Sequence, residues 1–486
     1  VKGAKPSKNN FDLSHERKLS MNMGELTPII CQEVVPGDSF KMNTEILMRL
    51  APMVAPVMHR VNVYTHFFFV PNRIIWSEWE DFITGGEDGT SEPVPPYITV
   101  NSATLLAGQA DYGTLYDHLT THAVGTLDAT GFNVNSLPFR AYQKIYNDYY
   151  RDQNLQDPEI VPMTSGRETS TNSRTLVQMQ TRAWEKDYFT SALPWTQKGG
   201  DVQLPLTGNA TVNGDSGVDM ALLNNSTPTS GDIKTDFSGE LQDSAGAAIK
   251  PLGLEADMSS VTATTVEELR RASRLQEWLE KSARGGSRYI EKILVHFGVK
   301  SSDSRLQRPE YLGGGKAPVV ISEVLQTAET ATTPQGNMAG HGISSGNSHS
   351  FTKSFEEHGL IIGICSVLPK TTYQQGLPKF YSKTDKFDYF WPEFAHLGEQ
   401  EVLNKELYLD NTDDETVFGY QSRYAEYKNI SSSVHGDFKD SLSYWHMGRI
   451  FTSAPALNED FIKSNPTHRI FAVTDPAEHK LYVQVY

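Results

Sequence analysis

Several short stretches of this 486-residue chain carry residue types that could do chemistry. Gly342-Ile343-Ser344-Ser345-Gly346 has the G-x-S-x-G spacing of a nucleophile elbow. An elbow lifts its serine hydroxyl into a strained turn, which needs an apolar strand before it and a helix after it. The flanks here are PQGNMAGH and NSHSFT, so a flexible Gly/Ser loop is expected instead. Tyr311-Leu312-Gly313-Gly314-Gly315-Lys316 places glycines before a lysine, as phosphate loops do, but lacks their spacing and the Ser/Thr after the lysine; it reads as an ordinary turn. Asp410, Thr412, Asp414 and Glu415 offer oxygen ligands without the turn glycine and distal glutamate of a calcium loop. A solvated acidic loop is the reading, with a calcium site between subunits left open. His341, His349 and His358 have no cysteines nearby and no zinc spacing. The sequence therefore assigns no catalytic residue, no cofactor and no metal.

Lys370–Lys428 is the most informative polar region. Tyr373, Phe380, Tyr381, Phe387, Tyr389, Phe390, Trp391 and Phe394 alternate with Lys370, Lys379, Lys383 and Lys386. Interleaved rings and cations can stack on and neutralise single-stranded nucleic acid. Aromatic side chains also dominate interfaces between proteins. Tyr373, Phe380, Tyr381, Tyr389 and Trp391 are expected at a subunit interface, and Lys379, Lys383 and Lys386 are the candidates to face nucleic acid.

These groups must be held by a chain whose formal net charge is -16, a balance that repels free DNA unless basic patches are segregated. Length alone allows about three domains, or one large β fold with insertions. Cys31 and Cys365 sit in apolar strand-like runs and read as buried reduced thiols, consistent with a bacterial cytoplasm. No apolar run is long enough to span a membrane. The opening VKGAKPSKNNFDLSHERK has no apolar core and does not read as a signal peptide; starting at Val1, the chain is expected to lack its initiator or a few residues.

Residues 1–24 read as a basic arm, in which Lys2, Lys5, Lys8, Arg17 and Lys18 outnumber Asp12 and Glu16 and could touch nucleic acid or a neighbour. Two strands are expected over 27–49 around the turn Pro36-Gly37-Asp38, and a third over 59–70. In the third, Val61, Val63, Thr65, Phe67 and Phe69 share one face and Phe67–Val70 is apolar on both. Asn72 is placed to cap a helix over Arg73–Ile83 with Ile75, Trp76, Trp79 and Phe82 inward. Loop fills 87–135 apart from a helical turn near Leu115–Leu119, and Ser136 and Pro138 start a helix over Phe139–Tyr150.

Residues 199–264 contain one aromatic residue, Phe237, and nine carboxylates against two lysines, so they read as a surface excursion of small hairpins. A capping box at Thr264/Glu267 or Thr265/Glu268 opens a helix with Val266, Leu269, Ala272, Leu275, Trp278 and Leu279 on one face. Tyr289–Phe297 continues the apolar pattern. Gly359–Leu368 is a buried strand, and His468–Val473 with Lys480–Tyr486 reads as a hairpin through Thr474-Asp475-Pro476. Strands at both ends, with helices and loops between, indicate a β-sandwich with elaborated connections.

Met21–Gly86 resembles the N-terminal region of the major capsid proteins of microviruses, small tailless phages, and looks closest to the gokushovirus branch. FRAYQKIYNDYYRDQN, TRAWEKDYFTSALPWTQKG, ELRRASRLQEWLEKSARGGSRYIEKILVHFGV, RPEYLGGGKAPVVISEVLQT, PQGNMAGHGIS, EEHGLIIGICSVLPKTTYQQGLPKFYSK and SSVHGDFKDSLSYWHMGRIF look like the family in order and spacing. The resemblance implies a mainly β protein, an eight-stranded antiparallel jelly roll with long loop and helical insertions, formed by 25–198 and 265–486. Copies would build a T=1 icosahedral shell around circular single-stranded DNA, assembled in the host bacterial cytoplasm. The 199–264 insertion would protrude at each threefold axis, where Asp215, Asp219, Asp232 and Asp236 are candidate contacts to a host cell-surface receptor. An internal scaffolding protein, a DNA pilot protein and a small basic DNA-binding protein are implied partners; the last agrees with the charge of the chain. A free β-sandwich glycan- or receptor-binding phage protein is the alternative, and a hydrolase using Ser344 is the enzyme rival.

Overall fold

The computed structural model describes residues 9–200, 202, 211–213, 234–235, 241–242, 255–257, 265–325, 338–412, 414–473 and 475–486. Contacts divide the chain into two units, Val1–Thr196 with Ala283–Tyr486, and Gln197–Ser282. In chain order the elements are β1 (Arg17–Met21), β2 (Thr27–Val34), β3 (Ser39–Leu50), β4 (Val61–Pro71), α1 (Trp79–Thr84), β5 (Tyr97–Val100), α2 (Leu115–Thr120), β6 (Phe132–Asn135), α3 (Leu137–Ile145) and α4 (Ser170–Leu176). Next come β7 (Thr211–Asn213), β8 (Lys234–Thr235), β9 (Leu241–Gln242), β10 (Glu255–Asp257), α5 (Val266–Arg284), α6 (Tyr289–Phe297), β11 (Glu310–Pro318), β12 (Val320–Leu325), β13 (Met338–Ser354) and β14 (Gly359–Pro369). The last elements are β15 (Glu399–Leu403), α7 (Asn404–Leu407), β16 (Val417–Ser422), α8 (Glu459–Ile462) and β17 (Leu481–Val485).

Two antiparallel sheets form the body of the first unit. One has the order β1-β17-β3-β13-β12 and the other β11-β4-β14-β2. The main core lies between them: Ile46, Met48 and Leu50 of β3 and Leu481, Val483 and Val485 of β17 meet Val61, Val63, Phe67 and Phe69 of β4 and Ile361, Cys365 and Val367 of β14. The alternation in β4 produces this directly, since successive side chains leave opposite faces of a strand. On its other face, Phe68 and Val70 pack with Ile362 and Ile364 of β14 against Leu115, Phe139, Tyr142 and Ile145 of the helices. Every residue of β14 is buried, as its unbroken apolar run requires. Both thiols are free; burial pushes Cys31 up to about 11 and Cys365 up to about 12.

The helical layer is tied down by one buried ion pair. Arg140 Nη2 lies 2.6 Å from Glu168, and both side chains are shielded from solvent. Arg140 also donates to the carbonyls of Ile75 and Thr164, so each of its guanidinium nitrogens has an acceptor.

Several expectations are corrected. Gly342–Gly346 is not a loop but the middle of β13, paired with β12 on one side and β3 on the other. Tyr311–Lys316 is not a turn but β11, paired with β4 through a bulge between Tyr311 and Gly313. Gly314 is needed there, because a Cβ would stand 2.3 Å from the Thr65 carbonyl. The Arg73–Ile83 helix is broken into a 3-10 turn at Asn72–Ile74 and α1, with no side-chain cap from Asn72. Phe82 is exposed rather than inward. His468–Val473 forms no strand: both edges of β17 are taken, by β1 and β3, so no hairpin partner position is left. Ile470 and Ala472 instead hydrogen-bond to the Pro52–Val54 segment.

In the second unit β7 pairs with β10 and β8 with β9. Thr265 and Glu268 form the capping box at the start of α5. Val266, Leu269, Leu275 and Trp278, expected on an apolar face, are exposed. Asp215, Asp219, Asp232 and Asp236 lie outside the described residues, as do Lys2, Lys5 and Lys8.

Candidate assembly and nucleic-acid surface

The segment from Pro378 to Leu397 cannot form a strand or a long helix, because Pro378, Asp385, Asp388 and Pro392 punctuate it every few residues. It folds as three 3-10 turns, Lys379–Ser382, Lys386–Asp388 and Pro392–Phe394. Asp388 accepts the backbone N–H groups of Asp385 and Thr384, both at 2.9 Å, and these bonds hold its carboxyl below the usual range. Trp391 Nε1 donates to the Lys386 carbonyl at 2.9 Å. The turns are thus fixed by their own polar groups, and the rings between them point outward. Phe380 is 58% exposed, Tyr381 67%, Tyr389 54% and Trp391 45%. Phe387, Phe390 and Leu397 extend the same uncovered strip.

Tyr373 has a different place. It is buried in a third core with Tyr188, Phe189, Val402, Leu407, Phe418 and Phe461, and its hydroxyl donates to Asp187 at 2.8 Å. The cations differ as well. Lys383 is buried against Glu426 at 3.2 Å and the Tyr427 hydroxyl at 2.9 Å, with its ammonium 4.1 Å from the Tyr427 ring centre. Lys379 reaches Glu406 at 3.3 Å. Lys370 and Lys316 share Glu185, at 3.5 and 3.2 Å. Burial pushes the Glu185 carboxyl up, but hydrogen bonds from Tyr64 and Lys316 outweigh it and the net direction is down. Lys386 stands over the Phe387 ring at 4.9 Å. In the arm, Lys18 is exposed beside Glu16, while Arg17 on β1 donates to the carbonyls of Ile29 at 3.0 Å and His118 at 2.7 Å.

Ser344, His341, Asp414 and Glu415, singled out for chemistry, all have partners. Ser344 is buried and its hydroxyl donates to the Pro318 carbonyl at 2.9 Å, so its proton is committed to a backbone acceptor. His341 is hydrogen-bonded to Ser322 at 2.9 Å. Asp414 accepts the backbone of Asp410 and Asn411, and Glu415 pairs with Lys405 at 2.6 Å. Among the described residues no group of three His, Cys, Asp or Glu side chains could hold a metal, and no helix is long and apolar enough to cross a membrane.

Phe380, Tyr381, Tyr389 and Trp391 thus form an exposed aromatic strip on a mainly β body. The family described as capsid protein (F protein) matches residues 1–486. The chain belongs to this family. Capsid protein VP1 of Bdellovibrio phage phiMH2K is 40% identical over 494 residues, covering 97% of this chain and 90% of that protein. VP1 of Chlamydia phage 1 is 35% identical, covering 96% and 91%, and VP1 of Spiroplasma virus 4 is 34% identical, covering 96% and 89%. The resemblance to gokushovirus-like microvirus capsid proteins is therefore shown, and with it a structural role in an oligomeric shell and a place in the virion. The capsid family is not an enzyme family.

Proposed function

We propose that the chain is the protomer of a T=1 icosahedral shell that encloses circular single-stranded DNA and is assembled in the host cytoplasm. The observation that carries the reading is the strip Phe380–Trp391, whose rings are held outward by a rigid set of turns. An apolar strip of this kind on a soluble protein marks an interaction surface, and in a capsid protein the partner is another copy. The sandwich supports an elaborated jelly roll, because successive strands change sheet: β2, β3 and β4 alternate, and β13, β14 and β17 do so again. Residues 199–264 are proposed as the protrusion that meets a host receptor, on the strength of their acidic, aromatic-poor composition. With a net charge of -16, the shell needs a basic DNA-binding partner or trapped cations to neutralise a genome. Scaffolding and pilot proteins complete the proposed partners.

The test is sedimentation of native material from host cells, assaying nuclease-protected DNA across the gradient. Large particles that contain this chain and protected single-stranded DNA are expected. A stable monomer in those cells, with no protected DNA, points instead to a free receptor- or glycan-binding protein.

A further inference from the structure

The outward face of the β11-β4-β14-β2 sheet changes character along its length. At one end Phe68 and Val70 of β4, with Ile362 and Ile364 of β14, lie under the helices. Toward the other end the same period of two brings out Tyr64, Asn62 and Arg60. In register, β11 sets Lys316 on one side of Tyr64 and β14 sets Ser366 on the other. The Lys370 N–H donates to the Arg60 carbonyl at 2.8 Å, which extends the β4–β14 pairing by one step. Arg182 comes over this face from the segment after α4. Its guanidinium lies 4.1 Å from the Tyr64 ring centre and donates to Ser366 Oγ at 2.9 Å. The Lys316 ammonium stands 5.0 Å from the same ring centre. Lys316 and Lys370 share the single carboxylate of Glu185, so one of their two charges is uncompensated. Nearby carboxylates are engaged elsewhere: Glu25 with Asn22 at 2.8 Å, Asp152 with Lys186, and Asp187 with Tyr373 at 2.8 Å. In a chain of net charge -16 this end of the sheet is a segregated cationic patch.

The patch is open to a ligand. The Lys316 and Lys370 side chains are 49% and 43% exposed, and Arg60 is exposed beside them. An ammonium has three donors, so each lysine can keep Glu185 and still take a further oxygen. A row of rings runs away from the cations: Tyr64, His66 and Tyr311, with centres 6.3 and 5.9 Å apart. Tyr311, at 48% exposed, presents ring surface to solvent. Accessible cations next to an accessible ring supply what a single strand needs, charge for its phosphates and a platform for a base.

We propose that this cationic end of the sheet face holds a phosphodiester segment of single-stranded DNA. Lys316, Lys370 and Arg60 take phosphate oxygens, and a base stacks on Tyr311. Arg182, clamped between Ser366 and the Tyr64 ring, adds fixed positive charge behind them. The site rests on the genome-enclosing reading given above. It places a DNA contact away from Lys379 and Lys383, which Glu406 and Glu426 already neutralise.

The experiment is ultraviolet crosslinking of DNA to protein in purified native particles, with peptides mapped by mass spectrometry and yields counted per recovered particle. The comparison particles carry Arg60→Gln, or Lys316→Gln with Lys370→Gln, or Lys316→Arg with Lys370→Arg. Adducts on the peptide containing Tyr311 and Lys316 are expected in the parent. Their yield is expected to fall about tenfold in the double glutamine variant, the effect of losing a charge-assisted hydrogen bond. Arg60→Gln, an exposed change, lowers it less, and the double arginine variant retains it. Protected DNA whose adducts lie only elsewhere overturns the site and leaves the shell reading intact. So does a carboxylate-directed crosslink joining Lys316 or Lys370 to an acidic residue of a neighbouring copy in place of a DNA adduct. Equal adduct yield in the parent and the double glutamine variant also overturns it. Particles without protected DNA overturn both readings.

Discussion

β4 and the Phe380–Trp391 strip are both dense in aromatic residues, yet one is sealed and the other is bare. In β4, Phe67, Phe68 and Phe69 are each at most 3% exposed, because a strand in the middle of a sheet offers one face to each of two packed layers. In the strip, prolines and aspartates turn the backbone every few residues, so no continuous face forms and the rings stay in solvent. The difference teaches that aromatic content alone does not report burial. The spacing of turn-forming residues decides whether rings serve the fold or wait for a neighbour.

That contrast can be broken from either side. Phe67→Ala should cost about 4 kcal/mol of folding stability, from lost transfer energy and the cavity left between the sheets, read by denaturant unfolding of full-length protein. A loss below about 1 kcal/mol would mean that the core relaxes around the gap. The second effect is pH-dependent. Burial holds His59 down to about 4, against the hydrogen bond it makes to the Lys370 carbonyl and with the nearby charges of His446 and Arg469 adding to the shift. The unfolded chain binds this proton more readily than the folded one. Stability is therefore complete above about 6.5 and falls as pH drops toward 4, by at most about 3 kcal/mol. His59→Gln should flatten that slope; an unchanged slope would assign it to other groups.

On the exposed side, Trp391→Ala loses the bond to the Lys386 carbonyl and should cost folding about 1 kcal/mol, but weaken association by about 2 kcal/mol per contact if the ring anchors an interface. Particle yield and subunit unfolding, measured together, separate the two. Lost yield with intact subunits is expected; intact yield removes Trp391 from the interface. The smallest effect is at Ser344. Ser344→Ala removes one buried hydrogen bond, worth about 1 kcal/mol, and particles should still form. No esterase activity should be found in the parent, and its presence would reopen the hydrolase reading.

Much of this organisation was legible in the residues themselves. β4 and β14 announce themselves through alternation and unbroken apolarity, and the Thr265–Glu268 box marks the start of α5. β11 and β13 were hidden, because Gly313–Gly315 and the Gly/Ser run around Ser344 carry no side-chain signal and are strands only through their neighbours. The tail hairpin failed for the related reason that strand pairing is non-local: β17 is claimed by β1 and β3, from the far end of the chain. Within the aromatic region the composition was plain, but Tyr373 and Phe380, seven residues apart, end in a core and in solvent. Nor could spacing show that Lys383 meets Glu426, since those neighbours are brought together by β15, β16 and the turns beside them.

The most direct test is hydroxyl-radical footprinting of Phe380, Tyr381, Tyr389 and Trp391 in assembled particles and in dissociated full-length subunits. Strong labelling in subunits that collapses on assembly, with Phe67–Phe69 protected in both, is the predicted result. Equal labelling of the strip in both states would contradict the account, because the rings would then remain in solvent in the finished shell.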